Sequence, residues 1–241
     1  MISVVIPLRV DRRRARIWDW VNARWGYVTA ELQRLEAVQV VFADNGQPDF
    51  DRGGSRNAGV AEATGDILVI ADADVIPELH QIADAIHAIR DDGHPWVFPY
   101  TTYINLAQWW TTELLNTRLP DEQIPVVDHA PASGFFDHLI RDSPAGMLVM
   151  PREAFHAAGG YDPRFQGWGY EDNAFMLAVD TLWGPHHRIP GDLLHLWHPV
   201  GANEAFEQPH IHDNRRLFRR YEKAAGNPTR MGELVGVPDR R

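Results

Sequence analysis

The sequence contains no cysteine, and no apolar run in it approaches the length of a membrane span. The lack of cysteine excludes disulfides, thiolate metal sites and cysteine nucleophiles, and it is compatible with a reducing compartment. The apolar residues 1–8 are too few for a signal peptide, and the arginines follow them instead of preceding them. We therefore expect a soluble, cytoplasmic protein that begins with a β-strand and has no transmembrane segment.

Positive charge is also scarce, because 23 basic residues face 33 acidic ones and the formal net charge is −10. A protein that binds a phosphate backbone needs a net basic face, so this balance argues against nucleic acid as a partner. Lys223 is the only lysine. This preference for arginine indicates a GC-rich genome, prokaryotic or from a phage.

The pattern of apolar residues predicts an α/β protein. At 241 residues with 44% hydrophobic content, the chain can bury one full core, and we expect one domain. Apolar runs at 3–8, 38–43 and 67–71 predict strands. Helical spacing over 14–25 and a short Ala-rich helix that begins in 52–59 and ends near Gly65 separate them, which predicts β-α-β units and a mostly parallel central sheet flanked by helices. Further helices are predicted from 77, 151 and 171 and strands at 96–99 and 147–150, whereas 101–145 has no clear periodicity.

Acidic residues follow two of the predicted strands. In open α/β sheets, ligands collect beyond the carboxyl ends of the strands, so Asp44, the glycine-rich segment 52–59, Asp72 and Asp74 should face one nucleotide-binding crevice. If the chain stays extended, Asp72 and Asp74 share a face, where two unsolvated carboxylates would repel each other without a cation. An Asp-x-Asp pair can also cap a helix or lie in solvent. Its position after a buried strand favours a metal site.

Several arginines lie near the predicted crevice. Segment 52–59 is either a turn and helix start capped by Ser55 or a phosphate site in which Arg56 and a helix N-terminus meet a diphosphate. Arg9, at the end of the first strand, is close enough in sequence to reach a nucleotide. The remaining arginines of this region are interpreted as a solvated helix face: Arg12, Arg13, Arg14 and Arg16.

A second acidic motif lies about a hundred residues further on. Glu171 and Asp172 fall in the first turn of a predicted helix, where the macrodipole favours acids as capping groups and lowers the pKa of a base. A catalytic role for Asp172 therefore requires desolvation to oppose the dipole. Trp168, between two glycines, is typical of a moving lid that stacks on a sugar. Gly169, Tyr170 and Glu171 belong to the same predicted lid and acceptor site.

Two histidines follow the last predicted strand, and either could be an ordinary structural histidine. In a fully extended segment, His195 and His198 would point to opposite faces and could not share one ion. A common metal site therefore requires a bend near Leu196 and Trp197.

These motifs resemble a known family in order and spacing. VVIP at 4–7, ADNG at 43–46, SRNAG at 55–59 and Gly65-Asp66 before Asp72-Ala73-Asp74 resemble the donor half of family 2 glycosyltransferases with the GT-A fold. REAF at 152–155, GGY at 159–161 and GWGYED at 167–172 resemble the C-terminal motif of beta-1,4-galactosyltransferases and bacterial chondroitin-type polymerases. The resemblance covers about residues 2–200.

The resemblance implies a single Rossmann-like GT-A domain that uses a UDP-linked nucleotide-sugar donor. In it, residues 1–100 bind the donor, 101–225 hold the acceptor and catalytic groups, and 226–241 form a peripheral tail. It implies that Asp44 contacts the uracil, that Asp72 lies near the ribose and that Asp74 binds the metal. His195 and His198 match a Met and His pair that binds manganese in the galactosyltransferases. The implied donor site comprises Pro7, Arg9, Asp44, Arg56, Asp72, Ala73 and Asp74.

The resemblance also implies a reaction. Asp172 would be the base of an inverting transfer to a hydroxyl of a glycan, protein or small-molecule acceptor. A mixed Asp and His ligand set suits Mn²⁺ better than Mg²⁺. Two alternatives keep the fold, namely a nucleotide-sugar-binding module whose catalysis has decayed and a nucleotidyltransferase that uses the same crevice.

Overall fold

The computed structural model describes residues 1–9, 12, 14–47, 50–130, 134–199 and 210–237. Arg13 and the last four residues of the predicted tail lie outside these ranges. Within them, strands and helices alternate through the first hundred residues and again in the second half of the chain. In chain order the elements are β1 (Ile2–Pro7), α1 (Ala15–Leu32), β2 (Val38–Ala43), α2 (Arg52–Glu62), β3 (Ile67–Ala71), α3 (Leu79–Arg90), β4 (Val97–Phe98), β5 (Thr102–Leu106), α4 (Gln108–Thr117), β6 (Phe136–Arg141), β7 (Met147–Pro151), α5 (Arg152–Ala157), α6 (Glu171–Leu182), β8 (His187–Arg188), β9 (Asp192–His195), α7 (Ile211–Ala224) and α8 (Pro228–Val235).

The central sheet has the strand order β2-β1-β3-β7-β4-β8. β1 pairs in parallel with β2 and β3, and β4 pairs in parallel with β8, whereas β7 is antiparallel to both of its neighbours. Every residue of β1 and β3 is buried, which explains why both strands are continuous apolar runs and not alternating ones. The α/β fold with a mostly parallel central sheet flanked by helices is therefore confirmed.

A smaller sheet covers the carboxyl end of β3. Its order is β6-β5-β9, with β5 antiparallel to β6 and parallel to β9. The segment after β3 joins it, because the Ile76 amide donates to the Leu194 carbonyl and the Leu196 amide donates to the Asp74 carbonyl, each at 2.9 Å. Residues 101–145, for which the sequence had no clear period, thus supply two of the three strands and α4. This sheet brings the end of β9 to the end of β3.

The C-terminal helices pack on the core of the protein. α8 and α7 both lie against α6, and the side chain of Met231 is fully buried. α8 begins with Asn227 as its cap, which accepts a hydrogen bond from the Arg230 amide. The described part of the predicted peripheral tail is therefore a packed helix, because its apolar residues recur at helical spacing and cover α6. Among the described helices, none combines the length and apolar character of a membrane span.

Candidate active site

Asp72 and Asp74 follow β3 but engage different groups. The chain turns directly after Ala71 and is not extended there, so the alternation of a strand does not set the directions of the two side chains. Asp72 accepts a hydrogen bond from Arg56, and Asp74 faces two histidines. The expectation that both carboxylates share one face for one cation was therefore wrong, because the alternation of side chains holds only while a strand continues.

Asp74, His195 and His198 form a compact cluster of possible metal ligands. Nε2 of His195 lies 3.4 Å from Asp74 Oδ1, and Nε2 of His198 lies 3.2 Å from Asp74 Oδ2. One ligand atom of each of the three residues lies within 4.8 Å of the others. β9 ends at His195 and the chain then leaves the extended conformation, as both rings require to reach one carboxylate. One carboxylate oxygen and two imidazole nitrogens suit a transition-metal cation such as Mn²⁺.

The charges of this cluster depend on one another. Burial opposes ionisation of Asp74, but His195 and His198 hold the pKa of its carboxyl well below the usual range. Burial also lowers the pKa of His198, whereas its contact with Asp74 raises it, and the net shift is upward. Arg14 extends this network, since its Nη1 donates to Asp74 Oδ2 at 3.5 Å. The interpretation of Arg14 as part of a solvated face missed this contact, which becomes visible only when β1 and β3 are placed side by side.

A buried arginine joins the two halves of the chain. Arg56 Nη2 donates to Asp72 Oδ1 and Arg56 Nη1 donates to Asp172 Oδ1, both at 2.6 Å. The guanidinium carbon lies 4.7 Å from the centre of the Tyr161 ring. Only 3% of the Arg56 side chain is exposed. This geometry favours a role in holding the two carboxylates over the diphosphate contact suggested for Arg56 by the sequence.

Asp172 lies in the first turn of α6 and is largely buried. Burial raises the pKa of Asp172 to about 7, with smaller contributions from Glu171 and Asp72, although the Arg56 guanidinium opposes the shift. Desolvation therefore outweighs the opposing charge of Arg56, and the resulting pKa lies in the range that a general base near neutral pH requires. The Gly169 amide donates to Glu171 Oε2 at 2.8 Å, so Glu171 forms the local hydrogen bond at this helix start. Asp172 instead contacts Arg56.

The loop before α6 is held by the C-terminal helices. Gly169 has a φ of 106° and Tyr170 a φ of 72°, a left-handed conformation that is strained for tyrosine. Nδ2 of the buried Asn214 donates to the carbonyls of Gln166 and Gly169 at 2.8 and 3.2 Å. The Tyr170 ring stacks on Phe218 at 5.3 Å. Sequence reasoning missed Asn214, whose one signal is a polar residue on the buried side of α7. The lid role of 168–171 stays a prediction.

The ends of β1 and β2 also meet. Arg9 Nε and Nη2 donate to the two carboxylate oxygens of Asp44 at 2.7 and 2.6 Å, and this pairing lowers the pKa of Asp44. Asp44 also accepts the Gly46 amide at 2.9 Å. Ser55 does not cap α2, because the helix begins three residues earlier and the Ser55 hydroxyl accepts a hydrogen bond from the Asn45 amide. Pro7 is the last residue of β1, and Asp44 and Asp72 directly follow the adjacent strands β2 and β3, so the three lie at one edge of the sheet.

Family models match most of this region. The model described as glycosyl transferase family 2 matches residues 29–157, and the model described as N-terminal domain of galactosyltransferase matches residues 140–190. No curated protein sequence matches the chain. The two models overlap between β6 and α5 and together include Arg56, Asp74 and Asp172.

Solved structures share the fold at low sequence identity. Glucosyl-3-phosphoglycerate synthase from Mycobacterium tuberculosis, in complex with Mn²⁺, UDP-glucose and phosphoglyceric acid, aligns with a TM-score of 0.53 and 15% identity over 100% of this chain and 81% of that one. The complex of the same synthase with phosphoglyceric acid alone aligns with a TM-score of 0.50 and 16% identity, again over 100% of this chain and 81% of that one. The catalytic domain of Drosophila beta1,4-galactosyltransferase 7 with xylobiose aligns with a TM-score of 0.45 and 15% identity, over 78% of this chain and 63% of that one. The chain thus spans less than two thirds of that catalytic-domain chain.

Proposed function

The chain belongs to glycosyl transferase family 2, and on this premise we propose that it transfers a sugar from a UDP donor to an acceptor hydroxyl with inversion, assisted by Mn²⁺. Its fold is that of the GT-A glycosyltransferases. One observation carries the finer proposal, namely the convergence of Asp74, His195 and His198 at the edge of the sheet where Asp72 ends β3. We further propose a single domain with a donor half in 1–100 and an acceptor half in 101–225, onto which residues 226–237 pack.

The donor set of the cluster fits the proposed cation. Asp74, His195 and His198 would hold Mn²⁺, since Mg²⁺ prefers oxygen ligands and water. When bound, the cation would neutralise the negative charge that develops on the departing diphosphate. Such a cation accompanies UDP-glucose in the Mycobacterium tuberculosis synthase, which supports the choice of metal and of UDP.

The other residues would orient the donor. Asp44, already held by Arg9, would accept the uracil N–H group, and Asp72 would receive a ribose hydroxyl. Pro7 and Ala73, at the ends of β1 and β3, would line the nucleotide between them. Each of these carboxylates has an arginine partner that restricts its rotamers before the donor binds, which lowers the entropic cost of binding.

Asp172 would act as the base. Its pKa of about 7 leaves a substantial fraction ionised at neutral pH and able to accept a proton from the attacking hydroxyl. Arg56 Nη1 holds one carboxylate oxygen at 2.6 Å and leaves the other for the acceptor. The hydroxyl oxygen would form a bond to the anomeric carbon as the bond to the diphosphate breaks, with inversion of configuration.

The first experiment measures UDP binding by calorimetry with and without Mn²⁺. Wild type should bind UDP more tightly with the metal, and Asp74→Ala should remove this gain while the fold persists. Asp84→Ala, an exposed acid on α3, is the matched control and should behave as wild type. Equal metal dependence in wild type and Asp74→Ala would overturn the cluster as the metal site.

The second experiment reads the product. Donor turnover with UDP-sugars should release UDP, and NMR of the glycoside should show an inverted anomeric configuration. A retained configuration would overturn the single displacement with Asp172 as base. Incorporation of a nucleoside monophosphate from a nucleoside triphosphate would favour the nucleotidyltransferase alternative.

A further inference from the structure

An open cleft lies between the start of α4, β6 and the segment after β9. It has a volume of about 660 Å³, which is in the range of small-molecule binding sites. The residues that give it its chemistry are Trp109, Trp197, Glu113, Asp137, Gln108 and Thr112. None of the residues proposed above for the donor, the metal or the base lines this cleft.

The lining combines two indoles with two carboxylates. Trp109 is 51% exposed although it is large and apolar, and its Nε1 donates to the Gly134 carbonyl at 2.7 Å, which fixes the ring. Trp110 and Phe135 lie behind it with ring centres 5.6 and 5.5 Å away. A rigid, exposed indole provides a flat apolar surface with little side-chain entropy to lose on binding.

The charge of the cleft is one-sided. Glu113 and Asp137 are both exposed carboxylates, and no lysine, arginine or histidine occurs among the described residues that line the cleft. An anionic ligand would meet repulsion without a compensating cation. Sugar hydroxyls, in contrast, donate to carboxylates, and the C–H face of a pyranose ring can cover an indole.

The cleft adjoins the proposed metal cluster. Trp197 lies between the two histidines of that cluster in sequence, and its amide donates to the Thr111 hydroxyl of α4 at 2.9 Å. This hydrogen bond couples the position of α4 to the segment that carries His195 and His198. A ligand against Trp197 would therefore lie next to the donor diphosphate.

We propose that this cleft binds an uncharged sugar unit of the acceptor, so that the acceptor is a neutral glycan and not a phosphorylated or otherwise anionic molecule. The inference rests on the proposed function, because it assigns the acceptor class of the same reaction. Trp109 and Trp197 would stack on the sugar, and Glu113 and Asp137 would accept its hydroxyl protons.

A glycan array with both uncharged and anionic oligosaccharides tests the ligand class without requiring turnover. The protein, with Mn²⁺ and UDP present, should bind uncharged glycans and no phosphorylated, sulfated or sialylated ones. Trp109→Ala should weaken binding to the best uncharged glycan by about tenfold or more, which corresponds to roughly 1.4 kcal/mol. Its melting temperature should change little, since about half of the surface of Trp109 is already in solvent.

Charge is tested separately with Glu113→Gln and Asp137→Asn. Each variant should weaken binding of the neutral glycan. Asp84→Asn on α3 changes the net charge equally, serves as the control and should leave glycan binding unchanged. UDP affinity with Mn²⁺ is measured on every variant and should stay at the wild-type value. Binding of anionic glycans by wild type, binding of no glycan, or unchanged affinity in Trp109→Ala would overturn the proposal. Loss of Mn²⁺-dependent UDP binding in wild type itself would instead refute the proposed donor site.

Discussion

Arg56 should be the most stabilising charged residue of the active site. Its side chain is 3% exposed, and the two carboxylates that it contacts, on Asp72 and Asp172, are 10% and 13% exposed. Arg56→Met keeps the apolar volume but removes the guanidinium that is hydrogen-bonded to both buried carboxylates. Removal of one partner from a buried ion pair costs about 3–5 kcal/mol of unfolding free energy. For a chain of this size, about 2–4 °C per kcal/mol gives a decrease in melting temperature of roughly 6–20 °C.

The loss should depend on pH with a defined sign. Burial already raises the pKa of Asp172 above its value in the unfolded chain, and loss of the opposing Arg56 guanidinium should raise it further. A group whose pKa is raised by folding stabilises the native state at low pH and loses that contribution as the pH rises through the folded-state value. The difference between wild type and Arg56→Met should therefore be smaller at pH 5 than at pH 8.

Thermal melts followed by circular dichroism at these two pH values measure the effect. Arg90→Met is a matched control, because Arg90 also contacts two carboxylates, on Glu36 and Asp66, but is 33% exposed. An exposed pair contributes about 0–1 kcal/mol, so this control should melt close to wild type. The double variant Arg56→Met with Asp172→Asn should recover part of the loss, since one uncompensated charge is gone. Arg56→Met that melts like Arg90→Met at both pH values would refute the reasoning.

Three further outcomes are expected. Asp172→Asn should retain its fold and its UDP affinity but lose about 10²- to 10⁴-fold in turnover. The wild-type rate should rise with pH through about 7, where the base ionises, and this rise should be absent in the variant. Near-normal transfer by the folded variant would make Asp172 a structural residue. His198→Ala should weaken Mn²⁺ binding in metal titrations more than His195→Ala. The His198 ring lies 3.2 Å from Asp74 and its side chain is 9% exposed, whereas the His195 ring lies 3.4 Å away and its side chain is 16% exposed. The opposite order of Mn²⁺ affinities would exchange their roles. Gly65→Ala should lower the melting temperature strongly, since a Cβ there would lie 2.6 Å from the Ser3 amide nitrogen and 2.7 Å from the Met1 carbonyl oxygen. The control Gly26→Ala in α1 places a Cβ with nothing within 4 Å and should raise the melting temperature slightly. Equal melting temperatures of the two variants would contradict the close approach at Gly65.

The local sequence was sufficient to predict the layers of this fold. β1 and β3 are buried on both faces, and only continuous apolar runs satisfy that environment, so both strands were predicted within one or two residues. α3 was predicted from the helical spacing of its apolar residues, and α6 was predicted to begin at Glu171, where it does begin. The family motifs could also be recognised from the local sequence, because each consists of a strand end, a turn and the start of the following helix, which are neighbours in the chain.

Long-range placement was decided by the tertiary structure. The antiparallel insertion of β7 between β3 and β4, and the small sheet built from 101–145, depend on pairings between distant segments that carry no periodic signal. The sequence suggested a diphosphate as the partner of Arg56. Its contact with Asp172 could not be read from the sequence, because Asp172 lies 116 residues away. The same holds for Asn214, whose carbonyl partners lie more than forty residues earlier. Side-chain alternation and helical spacing describe neighbours along the chain, whereas the charge and hydrogen-bond partners of a buried group are set by whichever segment the fold places against it.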